Sequence, residues 1–142
     1  MAGKPGQKFG EKTAIGTTDQ TVWPLTGILE NPAAPIAVTI SSSSANDTAA
    51  GTGARTVEIQ CLIAGFVPVD ETYTLNGQTA VAVGDISAVN RLKVMSAGSN
   101  DYNVGTIYVG SGTVTAGVPA VIYAVIAPGN NKTTQAHYTC PI

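Results

Sequence analysis

Apolar and polar positions alternate with a period of two along most of the chain, which predicts a succession of short strands. Ile36, Val38 and Ile40 alternate with Ala37 and Thr39. The clearest run opens at Arg55, with Val57, Ile59, Cys61 and Ile63 on one face and Glu58 and Gln60 on the other; Gly65 and Pro68 close it. Tyr73 and Leu75 alternate with Thr72 and Thr74, and Asn76-Gly77 then predicts a hairpin returning through Thr79 to Val83. Further strands are predicted at Arg91–Met95, Val104–Val109, Ala120–Ile126 and Thr133–Cys140, the last with Ala136, Tyr138 and Cys140 on one face. Thr21-Val22-Trp23 is a shorter β-type run closed by Pro24.

The punctuation between these runs is Gly, Pro, Asn and Ser. Pro24, Pro32 and Pro35 stiffen the connector to the first long strand, and Ser41 to Ala54 is a small, polar stretch expected to be an exposed loop. Its Gly51-x-Gly53 lacks the Gly-Lys-Ser/Thr ending and the helix of a phosphate-binding loop. Turns are expected at Gly84-Asp85, Ser96–Asp101, Gly110-Ser111-Gly112 and Pro128–Asn131, with one helical turn over Asp85–Val89. Some eight strands without a long amphipathic helix predict an antiparallel β-sandwich, jelly-roll-like, over residues 25–142. Val121 to Ile126 is apolar on both faces, whereas a sandwich strand ordinarily has one wet face. That excess assigns Val121, Tyr123 and Val125 to a subunit interface.

Residues 1–24 read as an extended N-terminal arm. Lys4, Lys8 and Lys12 against Glu11 give the first twelve residues a charge of +2, while the rest carries −4. With little to bury, such a segment is expected to lie on a partner, with Phe9 and Trp23 as its anchors. No apolar stretch follows the N-terminal lysines, so a secretory leader is not expected, nor is a membrane span. In a reducing compartment Cys61 and Cys140 are expected to be buried free thiols, and Asn46-Asp47-Thr48 and Asn131-Lys132-Thr133 to be turns rather than glycosylation acceptors.

Composition narrows the chemistry. Of 142 residues 44% are apolar and only 11% charged, with a net charge of −2. There is no basic footprint for nucleic acid, and Arg91 with Lys93 is an ordinary solvated edge. His137 is the only histidine and no Gly-x-Ser-x-Gly elbow accompanies it. On a strand His137 and Cys140 point to opposite faces, and with Cys61 they make three candidate ligands where structural zinc takes four. Asp70 and Glu71 diverge on a strand, while Asp47, Asp85 and Asp101 fall in separate loops, where solvated acids are expected. The reading is a protein without catalytic residues, metal or cofactor.

A resemblance adds to this. Asp47–Ile59, Glu71–Val81 with its Thr-x-Leu-Asn-Gly, Val89-Asn90-Arg91, Ser96-Ala97-Gly98 and Asn103–Ile107, together with Thr21-Val22-Trp23, resemble β-sandwich virion proteins of tailed bacteriophages, notably those of marine bacteria and cyanobacteria. The likeness spans most of residues 17 to 110 and departs at Ala64–Val69, where an apolar Gly-Phe-Val-Pro replaces a polar turn. It implies a β-rich structural component of the virion without catalytic residues, and the reading taken from it is a capsid decoration (cement) protein, trimeric, bound to the major capsid protein lattice on the virion exterior and assembled in the host cytoplasm. Two alternatives are a head-fibre or tail adaptor, and a carbohydrate-binding sandwich using Tyr102 in the Asn100–Val104 loop.

Overall fold

Among the described residues, seven strands form two antiparallel sheets. The computed structural model describes residues 10–12, 14, 17–19, 21–26, 28–136 and 139–140. The strands are β1 (Ile36–Ser42), β2 (Ala54–Ile63), β3 (Val67–Thr74), β4 (Val81–Ile86), β5 (Ala88–Ala97), β6 (Ile107–Thr115) and β7 (Val118–Ile126). One sheet has the order β4-β1-β6-β7 and the other β3-β2-β5. The all-β sandwich expected from the alternation is therefore the fold. Its core takes the inward residue of each alternating pair: Val38 and Ile40, Val57 and Ile59, Leu92, Ile107 and Val109, Ala124 and Ile126.

Several connections differ from expectation. Asn76-Gly77 is a turn, with Gly77 at φ +59° and Thr79 N donating to Asn76 O at 3.1 Å. Yet it joins β3 to β4 across the two sheets, so the flanking strands are not a hairpin pair. No helical turn spans Asp85–Val89. Ile86 and Val89 reach one core because Ser87 alone steps from one sheet to the other, its N held by Leu62 O at 2.6 Å and its Oγ by Ile63 O at 3.1 Å. Gly110-Ser111-Gly112 does not end its strand; β6 continues to Thr115, with ladder irregularities after Val109 and Ser111. The reversal comes at Ala116-Gly117, both at positive φ, a two-residue loop of type I′ character.

That hairpin doubles back. Ile107 pairs with Ser42, and ten residues of flat strand would carry Gly117 roughly 33 Å away. Instead the Ser41 hydroxyl donates to Gly117 O at 3.0 Å, and a Cβ on Gly117 would strike the Ser42 carbonyl. Ser41 pairs with outward-facing Tyr108, so the hairpin tip lies over the outer face of the four-stranded sheet.

The segment expected as an eighth strand, Thr133–Cys140, is not one among its described residues. Residues 131–136 instead run along the free edge of β5 through Val94 N to Asn131 O and Thr133 N to Leu92 O. Gln135 and Thr139 then bond to Val89 and Asn90 through side chains, which breaks the regular ladder. At the other edge, the Tyr73 hydroxyl of β3 lies 3.1 Å from Val83 O of β4, closing the side of the sandwich.

Candidate functional site

The residues assigned to a subunit interface do not share a face. A one-residue slip between Val109 and Gly110 in the β6–β7 ladder places a bulge at Tyr123, and such a slip redirects side chains to the opposite face. Tyr123 joins the main core and lies 3.3 Å from the Ser111 hydroxyl. Val125 faces outward but is 0% exposed, whereas Val121 is 48% exposed. What covers Val125 is Trp23, itself 5% exposed, together with Leu29, Leu25, Tyr108 and Ile122. At Val125 the outer face of β7 is thus covered by residues that precede β1 in the same chain, while Val121 stays exposed.

Within the single chain Trp23 therefore packs against the sandwich instead of extending from it. Residues 21–23 are not a strand; they belong to a loop braced by Leu29 N to Thr21 Oγ1 at 2.9 Å and Ala136 N to Val22 O at 2.9 Å. Glu11 N likewise bonds to Thr134 O. Phe9 and His137 lie outside the described residues.

One end of the sandwich carries a loop assembly that alternation did not reveal. The Ser41–Ala54 stretch, expected to be exposed, buries Ser41, Ser42 and Asp47. The Asp47 carboxylate accepts four hydrogen bonds: Ser42 Oγ at 2.6 Å, Ala54 N at 2.8 Å, and Val104 N and Gly105 N at 2.9 Å. These donors explain why β6 begins at Ile107 rather than Val104. They also leave Asp47 saturated with N–H and O–H groups, so it is neither a solvated acid nor a cation ligand. Buried Asn103 links the next layer, giving Nδ2 to Gly105 O and Ala127 O and exchanging backbone-to-side-chain bonds with Asn131. Asn131 is therefore committed to structure. The tight turn expected at Pro128–Asn131 is present one residue earlier, as Ala127-Pro128-Gly129-Asn130, with Gly129 at φ +78°. Three loops are so held, and Tyr102 projects from them, 46% exposed.

The opposite feature is the tip of the β2–β3 hairpin. Gly65 and Phe66 take positive φ, +75° and +57°. A left-handed conformation is costly for an aromatic residue, and here it accompanies exposure of Phe66 and the neighbouring Val67.

Within β3, Glu71 accepts from the Tyr73 hydroxyl. Burial, followed by that hydrogen bond, pushes the Tyr73 phenol up to about 12. The ordinary value is about 10, so folding retains a proton that the unfolded chain loses. Stability contributed by Tyr73 is complete below about pH 10 and falls as pH rises towards 12. An absorbance titration of phenolate is expected to give one late-ionising tyrosine that Tyr73→Phe removes.

Cys61 and Cys140 are free. Cys61 is buried as expected, its thiol pushed up by burial and then by Glu71 and Asp70, but Cys140 is exposed because the last segment is not a core strand. Among the described residues no three His, Cys, Asp or Glu side chains are grouped to hold a metal. Compared with known family models, curated proteins and solved structures, the chain matches none.

Proposed function

We propose that this chain is a structural protein of a tailed-phage virion, a decoration protein that binds the major capsid protein lattice. One observation carries the reading. Four of the six stretches that bear the phage resemblance meet around Asp47, all but Thr21–Trp23 and Val89–Arg91: Ala54, Gly77, Val104 and Gly105 bond to it, and Gly98 N bonds to Gly53 O. Segments that build one clamp are the ones related scaffolds would keep in common. The departure at Ala64–Val69 falls on the exposed hairpin tip, where a lattice-specific grip would vary.

With Trp23 packed within the chain, the exposed Phe66 and Val67 are the apolar contacts assigned to a shell, and Val121 is the one of the three residues assigned to contact between copies that stays exposed. Lattice repetition multiplies a weak contact of this size into durable attachment. Purified virions of the source phage test this by protein stoichiometry. Hundreds of copies per particle are expected for a decoration protein, with Phe66→Ser lowering occupancy of stripped shells at least about tenfold, as for a truncated interface anchor. Tens of copies would instead fit a head-fibre or tail adaptor, and absence from particles would refute both.

A second reading rests on Tyr102, an exposed aromatic on loops immobilised by Asn103 and Asp47. Aromatic faces stack on sugar rings, so a glycan array lost on Tyr102→Ala would favour a carbohydrate-binding module.

A further inference from the structure

The chain along β5 creates a juxtaposition that separation in sequence conceals. Val94 N donates to Asn131 O at 2.8 Å and Thr133 N to Leu92 O at 3.0 Å. These two bonds bracket Lys93 and Lys132, which are bridge partners. The bracketing makes them a non-hydrogen-bonded antiparallel pair, the closer class, with Cα atoms about 4.5 Å apart and side chains on one face. Both are exposed. Like charges set directly opposite are destabilising.

Two further groups share the face. Arg91 lies two residues before Lys93 and is exposed. Thr134 lies two residues after Lys132, beside Arg91 by the same register, and its Oγ1 is enclosed with no hydrogen-bond partner. Three of the chain's seven Lys and Arg residues thus meet on one patch of a protein whose net charge is −2. No ion pair within 4.0 Å holds any of the three to a described residue. The nearest carboxylates in the register are Glu58, opposite Lys93 on β2 and accepting from Gln60 Nε2, and Glu11, whose backbone N bonds to Thr134 O. The patch remains positive with both counted.

We propose that Lys93, Lys132 and Arg91 form a binding site for a doubly charged tetrahedral oxyanion of the phosphate or sulfate class. Every group there can donate. Two ammonium groups on parallel stems can straddle one tetrahedral anion, and a dianion neutralises both, where a single carboxylate would neutralise one. The site is independent of the virion reading, since it requires no lattice.

The test uses the full chain and titrates inorganic phosphate and sulfate against chloride at matched ionic strength, followed by amide and lysine side-chain NMR shifts. Saturable shifts centred on residues 91–93 and 132–134 are expected, weakened about tenfold in Lys132→Gln, the loss of one charge-assisted contact. Both lysines are exposed, so the variant is expected to fold; in low salt without phosphate it should melt above the wild type because the like-charge pair is gone. Glu58→Gln should tighten binding. A parallel arm with dextran sulfate separates a free ion from a polymer-borne group: Lys132-dependent binding in either arm supports the site and identifies the source. Shifts that never saturate, or binding unchanged by Lys132→Gln, would overturn it, as would no binding in both arms.

Discussion

Asp47→Ala is expected to destabilise the fold by about 3–5 kcal/mol, a large part of the 5–15 kcal/mol typical of a small domain. The variant strips a fully buried carboxylate from Ser42 Oγ and the amides of Ala54, Val104 and Gly105. Each buried donor left without an acceptor costs about 1–3 kcal/mol, and relaxation or entry of water recovers part of the sum. Asp47→Asn separates charge from shape. It should cost nearly as much, because its NH2 group would face donors that need acceptors. Ser42→Ala, removing one donor to a charged acceptor, should cost about 1.5–3 kcal/mol. Chemical denaturation measures all three, and hydrogen exchange should report faster opening at Ala54, Val104 and Gly105. An Asp47→Ala protein within 1 kcal/mol of wild type would remove the clamp as the element organising this end, and with it the support drawn from the converging segments.

Trp23→Ala is expected to cost about 3 kcal/mol, at the lower end of the range for large aromatic truncations. The cluster it anchors lies on the outer face of the four-stranded sheet, where the loop can partly collapse over Val125, Tyr108 and Ile122. Uncovering those side chains should also promote self-association, visible by light scattering. Trp23 is the only tryptophan, so native emission should be blue-shifted and move red in step with global unfolding. A native emission already matching the unfolded chain, with Trp23→Ala neutral, would mean the segment is undocked. That outcome would return Trp23 to the role of an external anchor and expose Val125 for contact between copies.

The two variants probe features of opposite legibility. An apolar β7 announced itself in sequence, since Val121 to Ile126 had more greasy positions than one core face needs. What covers them was not local information: Trp23 lies about a hundred residues upstream, and nothing in either segment specifies the other. Asp47 was silent for a different reason. An acid in a Ser- and Gly-rich stretch resembles any solvated loop acid until Val104 and Gly105 arrive with their amides. The one signal was the density of small residues around it, for a Cβ on Gly53 would strike the Asp47 carboxylate and one on Gly51 the Asn46 carbonyl.

By itself the sequence determined that this is an all-β chain and which residues are apolar in each strand, because side-chain alternation is a property of every extended segment. It also determined the tight turns at Asn76-Gly77 and Pro128-Gly129, which follow from backbone preference alone. Tertiary structure decided the partners: which turn crosses between sheets, where a bulge redirects Tyr123, which segment roofs Val125, and that Lys93 meets Lys132. Pairing and bulge position are set by contacts between residues distant in the chain, and a period of two is the same whichever neighbour a strand acquires.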